Sequence, residues 1–226
     1  MPRSSGAPGR DCPLCPRLVA FRNAWRTREP EWFNAPVESF GPLDARLLIV
    51  GLAPGLRGAN RTGRPFTGDY AGDLLYSTLK AFGFAEGDYC ARPDDGLTLL
   101  DCRITNGVRC VPPENKPTPQ EINTCRQFLS AAIGEMPRLH TVLALGRVAH
   151  ETLVVACGGR RPAHPFTHGG AHTIGTLKVF DSYHCSRYNT NTGVLTEAMF
   201  HDVFAKIRAA LDAEKPSLSP ATTGTR

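Results

Sequence analysis

Arg46-Leu47-Leu48-Ile49-Val50-Gly51-Leu52-Ala53-Pro54-Gly55 is the stretch that decides the fold. Its first half is a short, unbroken apolar block closed by glycine, the pattern of a strand buried on both faces in a parallel sheet. Its second half opens a loop of small and turn-forming residues that runs on through Arg64-Pro65-Phe66-Thr67-Gly68-Asp69-Tyr70-Ala71-Gly72. In open α/β sheets ligands sit outside the carboxyl ends of the strands, so this loop is where a substrate belongs. Phe66 and Asp69 stand there among glycines that let backbone come close to a ligand. A solvated connecting loop has the same composition.

Working outward, Leu74, Leu75, Thr78, Leu79 and Phe82 recur at helical spacing, and Gly83 supplies the stop. Residues 84–98 read as a loop with a turn at Pro93-Asp94-Asp95-Gly96. Cys102 to Val108 reads as a second strand with Asn106 near its carboxyl end. After a Pro-rich loop, Thr118-Pro119-Gln120-Glu121 predicts a helix start with a capping box. His140 to Leu145 is a third strand, followed by a helix from about Val148 to Ala156. Gly158 to Gly175 reads as a loop or hairpin, and Leu177 to Tyr183 as a fourth strand that ends at His184-Cys185-Ser186-Arg187. Leu195 to Leu211 carries Met199, Phe200, Val203, Phe204, Ile207 and Leu211 in one stripe, which reads as core. Upstream, Leu18 to Trp25 suits a short helix and Glu29 to Pro42 an irregular segment. Strands alternating with helices predict an α/β fold, three layers α/β/α around a central, mostly parallel, four-stranded sheet. The domain is expected over residues 11–212, with 1–10 and 214–226 as disordered tails.

With 226 residues, 41% hydrophobic and 21% charged, the chain has the composition of one soluble globular domain. No apolar run suits a membrane span, and Met1 to Arg10 has no apolar core of a secretory signal, so the expectation is a cytoplasmic, non-secreted protein. A net charge of +5 is compatible with a nucleic-acid partner without requiring one. In a reducing compartment the eight cysteines do not suggest a disulfide framework. Cys12 and Cys15 form one close pair, Cys110 and Cys125 a second. Four thiolates suit a structural zinc or an iron–sulfur cluster, and spacing does not choose between them. Cys90, Cys102, Cys157 and Cys185 read as packing residues.

The chemistry-bearing residues fall at strand ends. Asn106 offers a donor and an acceptor together, which suits a base edge. His184 can donate to an oxygen on which charge develops. Phe66 can stack on a flat ring, and Asp69 can hold a water or offset a cation. Singly, Asn106 could close a turn, His184 could be a surface histidine, and Asp69 could cap the helix near Tyr70. Their convergence on one sheet edge favours function.

These residues resemble the uracil-DNA glycosylase superfamily, and most closely family 5 (type b) of its iron–sulfur branch, from Cys12 to about Ala210. Gly51-Leu52-Ala53-Pro54-Gly55 with Asn60 through Asp69 is similar to that family's first motif. Ile104-Thr105-Asn106-Gly107-Val108-Arg109-Cys110 resembles the strand bearing the base-reading asparagine and a cluster ligand, and Tyr183-His184-Cys185-Ser186-Arg187 the last motif and its intercalating loop. The resemblance implies a DNA-repair enzyme that flips uracil, or another deaminated base such as hypoxanthine, into a pocket and hydrolyses its glycosidic bond. It implies a 4Fe-4S cluster on Cys12, Cys15, Cys110 and Cys125. Phe66 would stack on the base and Asn106 would read it, with the Ala53–Gly55 turn lining the pocket. His184 would stabilise the leaving base and Asp69 would orient water or stabilise the sugar cation. Arg187 and Tyr188 would fill the gap in the duplex, and Arg57, Arg61, Arg64 and Arg109 would meet phosphates. A monomer associated with the nucleoid is expected. Two positions depart from relatives: Leu52 stands where family 4 has an acidic residue, and Cys185 where many relatives have proline. The rival reading is a non-catalytic nucleic-acid-binding module with a structural metal.

Overall fold

The computed structural model describes residues 6–214. In chain order the elements are α1 (Pro16–Arg28), β1 (Leu47–Gly51), α2 (Ala59–Thr62), α3 (Tyr70–Ala81), β2 (Ala85–Glu86), β3 (Thr98–Leu99) and β4 (Cys102–Asn106). They continue with α4 (Pro119–Gly134), β5 (Thr141–Leu145), α5 (Arg147–Ala156), β6 (Ala171–Ile174), β7 (Leu177–Ser182), α6 (Arg187–Asn191) and α7 (Glu197–Asp212). The main sheet runs β4-β1-β5-β7-β6, and β2 pairs with β3 in a separate two-stranded sheet. The first four strands of the main sheet are parallel, while β6 is antiparallel to β7.

The expected four-strand sheet is thus corrected to five. The extra strand is the first arm of a hairpin inside the Gly158–Gly175 segment, turning at Gly175 with φ 59°. Its alternating exposed and half-buried residues and its histidine gave no apolar run to detect, because an edge strand buries only one flank.

β1, β4 and β5 are buried at every residue, as strands covered on both faces must be. Leu47 and Ile49 pack one way, with Leu75 and Leu79 of α3 and Phe200, Phe204 and Ile207 of α7. Leu48 and Val50 point the other way, onto Leu129 of α4 and Leu153 and Val154 of α5. Those two cores are the interfaces of a three-layer sandwich. The capping box forms as expected: Glu121 N–H donates to Thr118 Oγ1 (3.2 Å) and Thr118 N–H to Glu121 Oε2 (2.8 Å). α3 begins at Tyr70, four residues before the apolar periodicity starts at Leu74.

Gly6 to Arg10, read above as part of a disordered lead, are tied down in the fold. Gly6 N–H donates to Glu135 Oε1 (2.8 Å) at the end of α4, and Arg26 Nη2 donates to the Arg10 carbonyl (3.1 Å). Glu214 meets His140 at 2.5 Å. Positions 1–5 and 215–226 of the two expected tails lie outside the described residues. None of the described helices is long and apolar enough to cross a membrane.

Candidate active site and four-cysteine centre

β1 and β4 end side by side, with Gly51 in register with Asn106. At this edge opens a cleft of about 590 Å³ lined by the 52–55 turn, Phe66, Asp69, Asn106, His184 and Arg187. Gly51 makes the arrangement possible. A Cβ there would lie 2.5 Å from Asn106 Oδ1 and 2.6 Å from Phe66 Cζ, so only a bare backbone lets amide and ring meet over the strand end. Asn106 is 3% exposed, and its Oδ1 has no hydrogen-bond partner. A buried, unpaired acceptor is costly to the fold, which points to a ligand donor as its partner.

Phe66 holds a left-handed φ of 51°, rare for a bulky residue and a form of strain concentrated at ligand sites. Its neighbours enforce it. Tyr76 Oη donates to the Pro65 carbonyl (2.7 Å), Tyr89 Oη to the Phe66 carbonyl (3.3 Å), and Arg64 Nε to Thr67 Oγ1 (2.7 Å). Gly72 in α3 lies so close that a Cβ would collide with the Phe66 carbonyl. The Phe66 ring stacks against the His184 ring, centroids 5.8 Å apart and 28° between planes, and the two form one wall of the cleft.

Asp69 occupies the N-cap position of α3 but makes no side-chain capping bond, so the capping role raised from sequence does not hold. Its Oδ1 is buried without a partner, and Gly55 faces its Oδ2, where a Cβ would come to 2.7 Å. Burial pushes the Asp69 carboxyl above its ordinary value, and the nearby Gly72 and Ala71 N–H groups offset part of that rise. His184 moves the opposite way. Desolvation lowers its pKa to about 4, so near pH 7 the ring is neutral and carries one N–H. Its backbone carbonyl accepts from Asn189 Nδ2 (2.8 Å). Cys185, the departure from proline, is fully buried and turns its Sγ to the Ala71 carbonyl (3.4 Å), which pins the His184 loop to α3.

On the rim, Arg187 lies over the Tyr70 ring at 5.2 Å, Tyr188 is 74% exposed, and Arg57 and Arg61 are exposed. Two arginines expected to meet phosphates do not reach the surface. Arg64 is buried in a two-bond ion pair with Asp95 (both 2.7 Å). Arg109 is buried beneath the sheet edge and donates to Ser39 Oγ (3.0 Å) and the Phe128 carbonyl (3.3 Å). Both are framework residues, because guanidinium groups buried at 5% and 2% exposure lie out of reach of a phosphate.

The four cysteines converge although the pairs are about a hundred positions apart. Cys12, Cys15, Cys110 and Cys125 line one small cavity with Leu18 and Phe128, between α1 and α4. Arg22 Nη1 donates to Cys110 Sγ (3.6 Å) and Arg109 N–H to Cys125 Sγ (3.3 Å). Burial raises the Cys110 thiol to about 12 and the Cys125 thiol to about 11, so with no cation they stay protonated. Four sulfurs with N–H donors aimed at two of them suit a cationic metal group. Among the described residues, His150, His172 and Asp181 also place three ligand atoms within 4.8 Å of one another.

Sequence reading missed Asn115, which lines the cleft from a Pro-rich turn with φ 57°, and the pair Tyr76 and Tyr89 that fix the Phe66 loop. The turn was visible as Pro112-Pro113-Glu114-Asn115-Lys116-Pro117; the tyrosines gave no local signal.

A family model described as the uracil DNA glycosylase superfamily matches residues 38–208. The chain is 45% identical over 204 residues to a type-5 uracil-DNA glycosylase of Thermus thermophilus, an alignment covering 87% of this chain and 92% of that protein. It is 38% identical over 207 residues to a type-5 uracil-DNA glycosylase of Pyrobaculum aerophilum, covering 90% and 89%. A type-4 uracil-DNA glycosylase of Thermotoga maritima is 34% identical over 148 residues, covering 65% and 67%. With a β1–Phe66 loop, an Asn106 strand end and a His184 loop meeting in one cleft inside the matched span, the chain belongs to the uracil-DNA glycosylase superfamily.

Proposed function

We propose that this protein is a monofunctional uracil-DNA glycosylase, hydrolysing the N-glycosidic bond of uracil, and of other deaminated bases such as hypoxanthine, and leaving an abasic site in DNA. The observation that carries the reading is the buried, unpaired Oδ1 of Asn106 beside the Phe66 ring at the cleft floor. A flat heterocycle with an N–H edge supplies both missing partners, a face for the ring and a donor for the amide. A base inside a stacked duplex cannot reach this floor, so the nucleotide must be flipped.

The bond between the base nitrogen and the sugar carbon breaks with its electron pair going to the base. The neutral His184 donates its N–H to the base oxygen where that charge gathers. Asp69, whose carboxyl burial lifts above its ordinary value, faces the sugar cation or aligns the attacking water. Leu52, in the position where family 4 carries an acid, adds no second carboxylate. Its apolar wall suits a pocket that accepts more than one base. Arg187 and Tyr188 enter the space the nucleotide leaves, and Arg57 and Arg61 meet phosphates. Among the described residues no lysine lines the cleft to form a Schiff base, consistent with hydrolysis without strand cleavage.

Cys12, Cys15, Cys110 and Cys125 would hold a 4Fe-4S cluster that ties the N-terminal segment and α1 to α4 and supplies structure, with no redox step in base release. The Arg22 and Arg109 N–H donors aimed at Cys110 and Cys125 support a thiolate-held metal group there.

The test is base release from a duplex carrying one deoxyuridine, read as alkali-labile cleavage, for wild type and His184→Ala. Release by wild type that drops at least a hundredfold in the variant supports the reading. Intact DNA binding with no release from uracil or hypoxanthine would leave a binding module instead.

A further inference from the structure

β7 leaves the sheet at Ser182, and two residues later the chain must present His184 to the cleft. The peptide in between is held from two sides. Gly146 N–H donates to the Ser182 carbonyl (2.7 Å). Tyr183 N–H donates to Nδ1 of His168 (3.1 Å), and the His168 ring lies flat on the Tyr183 ring, centroids 4.8 Å apart and 11° between planes. The Ser182–Tyr183 peptide, one residue short of His184, is thus held at its carbonyl by Gly146 and at its N–H by one imidazole from the segment that leads into β6.

That segment is itself anchored. Gly169 N–H donates to the Asp181 carbonyl (2.9 Å), and Lys206 Nζ to the Gly169 carbonyl (3.0 Å). The fully buried Asp181 carboxylate takes Oδ1 to His150 Nδ1 (2.6 Å) and Oδ2 to His172 Nε2 (3.0 Å). The other ring nitrogen of His150 faces the His164 carbonyl (2.8 Å). The His150, His172 and Asp181 atoms are close enough together for a metal ion, but a 2.6 Å contact is the length of a charge-assisted hydrogen bond. With an oxygen at each of its ring nitrogens, His150 is held at both ends, and the trio clamps α5, β6 and β7 together.

We propose that His168 is a positioning residue for base release: by accepting the Tyr183 N–H it fixes how His184 enters the cleft. The proposal rests on His184 meeting the leaving base. It requires a neutral His168, since a protonated ring would turn an N–H against the Tyr183 N–H. The groups facing the ring are the Tyr183 ring just past β7 and Lys206, Asp202 and the Met199 backbone from α7. Burial first and Lys206 second hold its pKa below the usual 6.5, while Met199 and Asp202 pull less strongly upward.

Single-turnover base release from a uracil-containing duplex between pH 5 and 8 tests this in wild type, His168→Ala, His168→Asn and His184→Ala. A misplaced catalytic group costs up to about a hundredfold, so His168→Ala is expected to slow the maximal rate on the order of tenfold, with half-saturation changed by less than about twofold. Asparagine keeps an oxygen acceptor, so His168→Asn should recover most of the rate, with an acid limb moved to lower pH because no imidazole titrates there. A wild-type rate in His168→Ala while His184→Ala is inactive overturns the positioning role and leaves the function standing. Equal impairment of both His168 variants with an unmoved pH profile also overturns it, leaving only packing. Full activity of His184→Ala would remove the functional reading and this proposal with it.

Discussion

Arg64→Ala separates a framework arginine from a DNA-contacting one. The Arg64 guanidinium meets Asp95 through two bonds of 2.7 Å, with the two side chains 5% and 0% exposed. It also donates to Thr67 and lies 5.2, 5.4 and 5.8 Å from the ring centroids of Phe40, Tyr76 and Tyr89. Removing one partner of a buried pair costs about 3–5 kcal/mol, because the remaining charge stays buried without compensation. For a chain of this size each kcal/mol moves Tm by about 2–4 °C, so the variant should melt roughly 6–20 °C lower. Arg64 holds the Asp95 carboxyl well below its ordinary value. The stabilisation is therefore complete above the unfolded carboxylate pKa of about 3.9 and is lost as pH falls through the folded value. The Tm gap should be full at pH 7 and narrow below pH 4. DNA affinity against salt gives the second reading, since each lost phosphate contact flattens the log–log slope by about 0.9. Arg64→Ala, assayed at a temperature where it is folded, should keep the wild-type slope, while Arg57→Ala and Arg61→Ala should each flatten it. A flattened slope with an unchanged Tm would refute the assignment.

Three more substitutions probe the site directly. Gly51→Ala forces a methyl into Asn106 Oδ1 and Phe66, so uracil release should fall at least about a hundredfold while melting changes little; unchanged release would mean the base does not sit on that floor. Cys125→Ser in anaerobically purified protein should lose visible absorption and iron, whereas Cys90→Ser, at an exposed position, should lose neither; zinc without iron in the wild type would replace the cluster assignment. His184→Gln tests the depressed histidine: a folded pKa near 4 against about 6.5 unfolded means stability is lost as pH falls through that window. Between pH 7 and 4.5 the variant's Tm should therefore decline less than the wild type's, measured by thermal melts across that range.

The sheet was legible because β1, β4 and β5 are buried on both faces and so had to be written as apolar runs. β6 was not, since an edge strand holding His172 needs only one apolar flank. Asn106, His184, Phe66 and Asp69 could be found because strand ends are where the chain must place chemistry, and three strand ends were readable. The failure over Arg64 and Arg109 is of another kind. Arginine looks the same in sequence whether it faces water or fills a core, and what decides is Asp95, thirty-one positions away, and the Ser39 and Phe128 groups around Arg109. The two tyrosines over the Phe66 loop were invisible for the same reason: their role exists only once α3 is folded against it.

Burial also sets how one cleft can hold an acid beside a neutral proton donor. Desolvation acts on Asp69 and His184 alike, pushing each toward its neutral form: the carboxyl rises and the imidazole falls. An imidazole lowered from 6.5 to about 4 is neutral near pH 7. The pocket thus places a carboxyl and a neutral N–H donor together. An anion is what a developing sugar cation needs, and a neutral donor is what a departing base anion needs. A second carboxylate at position 52 would raise Asp69 further by like-charge repulsion. Leucine there keeps Asp69 as the lone carboxylate lining the cleft among the described residues, and this is the electrostatic sense of the departure at Leu52.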